Sequence, residues 1–508
     1  MKKIQNIKTL SKKLQQLKKK GKKIVLCHGV FDILHIGHIK HFQSAKKMGN
    51  ILVVSVTPDK FVNKGPNRPI FPINLRMQSL ASLKSVDYVV PNISDTAVYP
   101  ILNLKPNIYC KGKDYSNSKL DISGNINKEI SAIKKVKGKI NFTEDELFSS
   151  SKIINSTNIN LSKKQGDFLN SLKKDKGIKK FDPSKLINSF KSLKVLVIGE
   201  TIIDEYIYCD ALGKSGKEPV LAVKYLKSKK MIGGTMSIAK NLSSFCKKIT
   251  VLSYVGEKNE QLNFIKKNLQ KNINPIFLKK KNSCTIIKKR YVDDVSKSKI
   301  LGVYSIEDQL ISKKEEKILS KHILNQIKNH DLVIVSDYGH GFLNEKLSKL
   351  IIKNSKYVAV NAQLNASNIG FHTISKYKNA DLVIINENEM RHEMRDKSSE
   401  LNYLIKKLAK KINSKLITVT SGDQGSTSYN KKINKVFNCP AFASKVVDKI
   451  GAGDTMLAVL SLAIHKKANI KFSMFLSALA AAINVQSEAN SLVLNRVDMI
   501  KSIQSYLK

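Results

Sequence analysis

The chain has 508 residues, of which 42% are hydrophobic and 25% are charged, and its formal net charge is +49. This length exceeds one ordinary hydrophobic core and predicts at least two domains, while the lack of any long apolar run excludes a membrane-spanning helix. The lysines are spread along the whole chain together with abundant Asn and Ile, whereas a nucleic-acid-binding protein would cluster its charge on one element and interleave aromatic residues for stacking. This distribution argues against nucleic-acid binding, the function that such a net charge would otherwise indicate.

The amino terminus and the cysteines bear on the cellular compartment. Residues 1–23 are basic but have no continuous apolar stretch and no small-residue cleavage site, so they do not resemble a secretory signal. The six cysteines are far apart and form no CxxC pair, which is typical of reduced thiols that fill a core. We therefore expect a cytoplasmic protein with no membrane partner.

The first 155 residues alternate buried strands with amphipathic helices. One helix is predicted at 39–49, where Ile39, Phe42, Ala45 and Met48 share a face. Strands are predicted at 23–27, 51–57, 87–90 and 107–112. Because these strands are continuously apolar and separated by helices, they predict a parallel sheet covered on both faces, with ligands at its carboxyl edge.

Residues 156–193 are rich in Lys, Asn, Ser and Gly and predict a linker, and residues 194–508 then repeat the alternation of strands and helices. Strands of this second domain are predicted at 195–200, 331–337, 357–361, 381–386 and 416–422. Residues 205–226 have β character without an intervening helix, which predicts a small antiparallel flap beside the parallel sheet.

His35 and His38 lie in CHGVFDILHIGH, residues 27–38, directly after the first predicted strand. Two imidazoles at a helix N-terminus can donate hydrogen bonds to phosphate oxygens, and Gly37 lets a nucleotide approach the backbone. A metal pair and a structural histidine are the alternatives, although no HExxH motif or Cys/His cluster accompanies the pair in the sequence.

HGVFDILHIGH resembles the GxFDxxHxGH signature of the cytidylyltransferase-like nucleotidyltransferase superfamily, and VTPDKFVNKGPNRP, YCKGKDY and FSSSKII follow in the expected order. The resemblance covers residues 22–155 and implies a Rossmann-like α/β domain in which His35 and His38 stabilise the α-phosphate while pyrophosphate leaves. It implies that Asp32 orders the loop, and it leaves His28 as a neighbour of the site. The residues that it places at the nucleotide are Val30, Phe31, Asp32, Gly37, Lys64, Arg68, Lys111, Gly112, Ser149, Ser150 and Ser151.

The end of this domain bears on the choice of nucleotide. Glycerol-phosphate cytidylyltransferases carry an arginine-containing element there, whereas TEDELFSSSKII contains no arginine. KGKDY and SSSKIIN are more similar to the adenylyltransferase half of the bifunctional heptose-phosphate enzymes that make ADP-heptose for lipopolysaccharide. This likeness favours ATP over CTP, with Mg2+ as the cofactor.

Asp454 lies in GAGDT, residues 451–455, before an apolar helix at 455–464. Glycines there let backbone amides bind an anion, and an aspartate beside them can accept a hydroxyl proton, although short Gly-Asp strings also occur as plain turns. VDKIGAGDT resembles the DTxGAGD signature of ribokinase-like PfkB sugar kinases, and VTSGDQG and NENE match their nucleotide and Mg2+ segments.

This second resemblance covers residues 194–506 and implies a carbohydrate kinase with a ribokinase-like α/β fold, in which Asp454 is the base, and Asn386 and Glu389 organise Mg2+. The residues implied to hold the ATP and the transferred phosphoryl group are Thr420, Gly422, Gly425, Gly451, Ala452 and Gly453. The residues implied to hold the sugar are Asp204, Gly233 and Gly234.

Several departures from the kinase pattern fall on the sugar side. Ser237 stands where an asparagine is usual, His340 stands where heptose-phosphate kinases have lysine, and Ile450 replaces a threonine. VNAQLNASNIG, residues 360–370, replaces a DPKG-like turn, so an acidic group is missing. These changes predict an altered acceptor or a weak kinase.

The two resemblances together predict a bifunctional enzyme of nucleotide-sugar synthesis, with sugar phosphates and nucleoside triphosphates as substrates. The domain order is reversed relative to the bifunctional heptose-phosphate enzymes, in which the kinase comes first. One alternative is a cytidylyltransferase for a polyol or lipid-headgroup phosphate fused to a degenerate kinase-like domain, and another is a basic nucleic-acid binder. The flap could pair two copies of the chain into a homodimer.

Overall fold

The structure, a computed structural model, describes residues 3–62, 68–113, 125–143, 161–175, 178, 182–488 and 491–507. The chain divides into two compact units, the first formed by residues 1–162 with 501–508 and the second by residues 163–500. In the described ranges, no helix combines the length and the apolar character needed to cross a membrane.

The first unit is built on one parallel sheet of five strands in the order β3-β2-β1-β4-β5. Its strands are β1 (Ile24–Gly29), β2 (Ile51–Val56), β3 (Tyr88–Pro91), β4 (Ile108–Gly112) and β5 (Lys139–Thr143). Its helices are α1 (Ile7–Lys19), α2 (Ile36–Lys47), α3 (Ile73–Ala81), α4 (Val98–Leu104) and α5 (Asn125–Lys135). Successive side chains of β1 enter different hydrophobic clusters, Leu26 one and Cys27 the other, so both faces of the sheet are covered.

The second unit contains a nine-stranded sheet in the order β10-β9-β6-β13-β14-β15-β16-β17-β18, parallel from β10 to β16 and antiparallel beyond. Its strands are β6 (Lys194–Gly199), β9 (Lys248–Gly256), β10 (Ile273–Lys280), β13 (Leu332–Asp337), β14 (Val358–Ala362), β15 (Leu382–Asn386), β16 (Leu416–Thr420), β17 (Ser426–Asn430) and β18 (Lys435–Cys439). Its helices are α6 (Lys163–Lys174), α7 (Pro183–Ser189), α8 (Thr235–Ser243), α9 (Leu262–Lys267), α10 (Lys313–Ile327), α11 (Glu345–Asn354), α12 (Glu387–Met394), α13 (Leu401–Ile412), α14 (Ala452–His465) and α15 (Ile470–Asn484). Helix α16 (Arg496–Leu507) has residues in both units, because the division falls after Ile500.

A separate sheet of four strands accompanies the large sheet, in the order β12-β11-β7-β8. Its strands are β7 (Thr201–Lys214), β8 (Leu221–Gly234), β11 (Ile286–Asp293) and β12 (Lys299–Ser305). The antiparallel pair of β7 and β8 confirms the predicted flap, and β11 extends it by pairing parallel to β7. β11 begins about seventy residues after the end of β7, and this pairing brings β11 side chains to the start of the flap.

In its described residues, the segment predicted as a linker contains the helices α6 and α7, and from residue 163 onward it belongs to the second unit. Phe168 of α6 packs against the rings of Phe442 and Phe475, with centroids 6.2 Å away in each case. Gln165 donates its side-chain amide to the carbonyl of Ala441 at 2.6 Å. Aromatic packing and this hydrogen bond therefore attach the segment to the body of the second unit.

Candidate active sites

The paired histidines of the first unit lie where β1 ends and α2 begins. His35 is the N-cap of α2, and His38 lies in its first turn with its backbone amide 2.9 Å from the carbonyl of His35. Their imidazole rings are stacked, with centroids 3.9 Å apart, and the His38 ring is nearly perpendicular to the Phe31 ring, with centroids 5.5 Å apart. The structure therefore brings both histidines to the carboxyl edge of the parallel sheet, where ligands of such sheets bind.

Asp32 fixes the loop between β1 and α2. Its carboxylate accepts hydrogen bonds from the backbone amides of Ile70 at 2.8 Å and Phe71 at 3.0 Å, and it pairs with the Arg68 guanidinium at 3.1 Å. Both charged side chains are almost fully buried. The interaction with Asp32 holds Arg68, the predicted phosphate ligand, beside the loop.

Arg76 is a second anchor of this loop, and sequence reasoning gave it no role. Its buried guanidinium donates to the carbonyls of Val30 at 2.5 Å and Thr57 at 2.9 Å and pairs with Asp59. Phe31, which follows Val30, has a positive φ of 49°. An L-residue adopts this backbone conformation at a cost in free energy. The hydrogen bonds from the buried Arg76 guanidinium hold the loop in this conformation.

Lys111 and Gly112 end β4, the neighbour of β1, and so lie at the same edge of the sheet. The Lys111 ammonium lies 3.4 Å from the buried carboxylate of Glu129. Lys64 and Ser149, Ser150 and Ser151 lie outside the described residues.

His28 is buried and hydrogen-bonds through its two ring nitrogens, with Ser55 at 3.2 Å and Thr57 at 3.4 Å. Burial, followed by the charge of Lys111, lowers the pKa of His28 to about 3. The ring is therefore neutral at physiological pH.

Asp454 is the centre of the site in the second unit. It lies in the first turn of α14, and its carboxylate accepts hydrogen bonds from the Tyr338 hydroxyl at 2.9 Å and the Gln363 side-chain amide at 3.0 Å. Burial is the main cause that raises the pKa of Asp454 to about 6, and the charge of Asp204 acts in the same direction. A buried carboxylate with a raised pKa at a helix N-terminus is suited to general-base chemistry.

Asp204 is held at the start of the flap by Arg290 of β11, at 2.5 Å. Gly233 lies against the same carboxylate, because a Cβ atom there would be 2.2 Å from Asp204 Oδ2. Gly234 has a φ of +59° and caps α8, and a Cβ atom there would be 2.5 Å from the carbonyl of Glu200. The structure thus brings Asp204, Gly233 and Gly234 together, and neither glycine can carry a side chain without displacing its neighbour.

Asn386 and Glu389 form a capping box at the start of α12. The Asn386 side chain accepts from the Glu389 amide at 2.8 Å, and Glu389 accepts from the backbone amides of Asn386 at 2.7 Å and Leu364 at 3.3 Å. Burial raises the pKa of Glu389 to about 7, and the nearby charge of Asp454 adds to the rise. Glu389 therefore faces the centre of the site, whereas the Asn386 side chain is used as the helix cap.

The predicted nucleotide residues lie at the ends of neighbouring elements. Thr420 ends β16 and is paired with Asn386 of β15. Gly422 and Gly425 follow with φ values of +59° and +94°, and a Cβ atom at Gly425 would be 2.1 Å from the carbonyl of Cys439. The residues Gly451, Ala452 and Gly453 form the N-cap and first turn of α14, and a Cβ atom at Gly453 would meet nothing within 4 Å. The strand ends and the open start of α14 suit phosphate binding.

The departures from the kinase pattern are also visible. Gln363, which belongs to the replaced turn, donates a hydrogen bond to Asp454, so an amide lies where the pattern predicts an acidic group. His340 is buried and hydrogen-bonded to Asp308 at 2.6 Å, so it does not supply the cation that lysine would. Burial is the main cause that lowers the pKa of His340. Ser237 is buried in the first turn of α8.

Comparisons with known proteins identify both domains. The profile of the family described as pfkB family carbohydrate kinase matches residues 192–494, and the profile described as Cytidylyltransferase-like matches residues 26–156. Among solved structures, phosphofructokinase-2 from Escherichia coli in complex with potassium covers 62% of this chain and 100% of its own, with a TM-score of 0.52 and 13% identity. At that identity the likeness shows the fold alone.

Curated relatives give the same result. The Bifunctional protein HldE of Campylobacter jejuni subsp. doylei is 30% identical over 331 residues, which are 61% of this chain and 67% of the relative. The protein of the same name from Campylobacter curvus is 30% identical over 312 residues, 58% and 62% of the two chains. The chain thus spans about two thirds of the length of these relatives.

The predicted α/β fold class and the predicted combination of a sugar-kinase with a nucleotidyltransferase domain are confirmed. The chain belongs to the pfkB family of carbohydrate kinases and carries a cytidylyltransferase-like domain ahead of its kinase domain.

Proposed function

We propose that the second unit transfers the γ-phosphoryl group of ATP to a hydroxyl group of a sugar or sugar phosphate, with Asp454 as the base. The observation that carries this proposal is the buried Asp454 carboxylate at the open start of α14, with its pKa raised to about 6. The acceptor hydroxyl gives its proton to Asp454, its oxygen attacks the γ-phosphorus, and ADP leaves with the electrons of the broken P–O bond. Asp204 would hold the sugar, oriented by Arg290.

The residues near the base suit Mg2+, which binds carboxylate oxygens and phosphates. Glu389 is buried, oriented by two backbone amides and electrostatically linked to Asp454, so its carboxylate would hold the ion or its water, with Asn386 fixing its position. When bound, Mg2+ would neutralise charge on the phosphates. Backbone amides at Gly451, Ala452 and Gly453 would stabilise the transferred group.

The first unit would transfer a nucleotidyl group to a sugar 1-phosphate. In this reaction an acceptor phosphate oxygen attacks the α-phosphorus of the nucleoside triphosphate, and pyrophosphate leaves. His35 and His38, stacked at the start of α2, would donate hydrogen bonds to the α-phosphate, and Arg68 and Lys111 would contribute positive charge. Lys64 and Ser149 to Ser151 are proposed on the motif alone. ATP is the preferred nucleotide, CTP the alternative, and a heptose-like sugar the preferred acceptor.

The proposal extends to the arrangement of the protein. We propose a cytoplasmic enzyme with catalytic domains at residues 1–155 and 194–508. The flap exposes large apolar side chains, among them Leu221, Tyr225 and Leu301, and this exposure supports a homodimer in which two flaps pair.

The test separates the two activities in the full chain. The purified protein is incubated with ATP or CTP and a panel of sugars, sugar phosphates and sugar 1-phosphates, and products are identified by mass spectrometry. We expect Asp454→Asn to abolish ADP formation and to spare pyrophosphate release, and His38→Ala to do the reverse. The assignment fails if no acceptor yields either product, or if each variant retains the activity that it should lose.

A further inference from the structure

A cluster of three side chains that could bind a metal ion lies in the first unit, and one of them is on α2, the helix that carries His35 and His38. Cys27 of β1, Cys110 of β4 and His41 of α2 each offer one ligand atom, and these atoms all lie within 4.8 Å of one another. Both cysteines are buried and reduced, and His41 is half-buried. The proposed nucleotidyl transfer uses none of these three side chains.

The sheet itself brings the two sulfur atoms together. Cys27 and Cys110 are direct partners in the parallel pairing of β1 with β4, so their side chains leave the same face of the sheet. Their Sγ atoms lie within 4.8 Å of each other, and the Sδ atom of Met48 lies 3.9 Å from Cys110 Sγ. Two buried sulfur atoms and the half-buried sulfur of Met48 therefore lie close together.

Helix α2 supplies the nitrogen ligand. His41 and Met48 are seven residues apart on this helix and its C-cap, and this spacing of two turns places them on one face. The Nδ1 atom of His41 lies 2.8 Å from the hydroxyl of Thr143, the last residue of β5. Hydrogen bonds of this kind fix the orientation of histidines that bind metals.

We propose that Cys27, Cys110 and His41 bind one thiophilic metal ion, namely Zn2+. Two thiolates and one imidazole form a donor set that zinc prefers, and the two thiolate charges balance the charge of the ion. The fourth tetrahedral position is open to a water molecule or to the Met48 thioether. Binding replaces the two thiol protons, which are released to solvent, so zinc affinity falls as the pH is lowered.

The ion would connect three elements of the first unit. It would join β1, β4 and α2 on the side of α2 that faces the sheet, one turn after His38. Its effect would be to hold the helix that carries His35 and His38 at a fixed height above the sheet. Because zinc binds only the folded arrangement of the three ligands, it would also raise the melting temperature of the protein.

The experiment uses the full chain, reduced and freed of metal by dialysis against a chelator. Zn2+ is titrated against a chromophoric competitor, and Co2+ is used as a spectroscopic substitute, since tetrahedral cobalt–thiolate sites give visible d–d bands and a thiolate charge-transfer band. We expect one equivalent of metal per chain, both band types, and a rise in melting temperature with Zn2+. Cys27→Ser, Cys110→Ser and His41→Asn should each lower the affinity by at least about tenfold.

Cys246→Ser is the matched control, since Cys246 is also buried but lies in the second unit, and it should retain full binding. His41→Asn keeps the test decisive if a cysteine variant does not fold, because His41 is only half-buried. The proposal is overturned if the wild-type chain binds no zinc. It is also overturned if the three variants bind zinc as the wild type does, or if mass spectrometry finds a Cys27–Cys110 disulfide that persists in reductant.

Discussion

The side-chain amide of Gln363 donates a hydrogen bond to Oδ1 of Asp454 at 3.0 Å, and the Tyr338 hydroxyl donates to the same oxygen. Both donors stabilise the charged carboxylate, whereas burial and the charge of Asp204 disfavour it. The effect of burial is larger than that of the hydrogen bonds, so the pKa of Asp454 is raised to about 6. At neutral pH the carboxylate is therefore ionised and more basic than an ordinary aspartate, which is the combination that a general base needs.

Asp454→Asn should abolish the kinase activity without weakening the fold. We expect kcat for phosphorylation to fall by about 10²- to 10⁴-fold, the usual contribution of a general base. Because the folded-state pKa is raised, ionised Asp454 disfavours folding, and its effect on stability worsens as the pH rises from about 4 to about 6. The melting temperature of the variant at pH 7 should therefore equal or exceed that of the wild type. Glu345→Gln, an exposed change on α11, is the control, and wild-type phosphorylation by Asp454→Asn would exclude this residue as the base.

The kinase should lose activity in mild acid. Below a pH of about 6 Asp454 is protonated and cannot accept the hydroxyl proton, so kcat should fall about tenfold per pH unit, whereas an ordinary aspartate would act down to about pH 4. Tyr338→Phe and Gln363→Leu each remove a donor to the carboxylate and should move this acid limb upward by about one pH unit. Profiles of kcat against pH measure the shift. An acid limb that stays in place in both variants would mean that another group, such as Glu389, controls it.

Much of the fold is readable in the sequence because the sheets are parallel and buried. The apolar run at 331–337 becomes β13 (Leu332–Asp337), and the run at 381–386 becomes β15 (Leu382–Asn386). Continuous apolar strands and glycine-rich turns at their ends are local signals, so the edge that carries Asp454 and Glu389 could be predicted without contacts.

Contacts between distant segments could not be predicted in this way. Gln363 meets Asp454 across ninety-one residues, and Arg290 meets Asp204 across eighty-six. The cluster of Cys27, His41 and Cys110 has no motif spacing, because the register of β1 with β4 brings its cysteines together. These relationships depend on strand order and register, which sequence periodicity does not encode.

Lys288 should decide whether the kinase accepts a phosphorylated sugar. It is the β11 residue paired with Asp204 of β7, and its positive charge lowers the pKa of Asp454, so it lies near both the proposed sugar ligand and the proposed base. Burial is the main cause that lowers the pKa of the Lys288 ammonium group. Lys288 is half-buried, and an ammonium group that hydrogen-bonds a phosphate contributes about 1.5–3 kcal/mol, so Lys288→Met should raise the KM for a sugar phosphate by about 10- to 100-fold.

The same variant should change the KM for the corresponding unphosphorylated sugar much less. Lys289→Met is the matched control, because neighbouring residues of a strand point to opposite faces. Steady-state kinetics with both acceptors measure the two KM values in the wild type and in each variant. An equal loss with the sugar and with its phosphate would show that Lys288 acts on Asp204 or Asp454 rather than on the acceptor phosphate.

The three histidines of residues 27–38 should differ sharply in nucleotidyl transfer. His35→Ala and His38→Ala remove donors from the start of α2, and we expect each to lower the rate of pyrophosphate release by about 10²-fold or more, as loss of one transition-state donor does elsewhere. His28→Asn should retain most of the activity, because His28 is neutral and engaged by Ser55 and Thr57. All three variants are assayed for pyrophosphate release, and ADP formation by the kinase unit reports whether each chain is folded. If His28→Asn instead lost as much as His38→Ala while the kinase stayed active, His28 would belong to the catalytic group and not to its support.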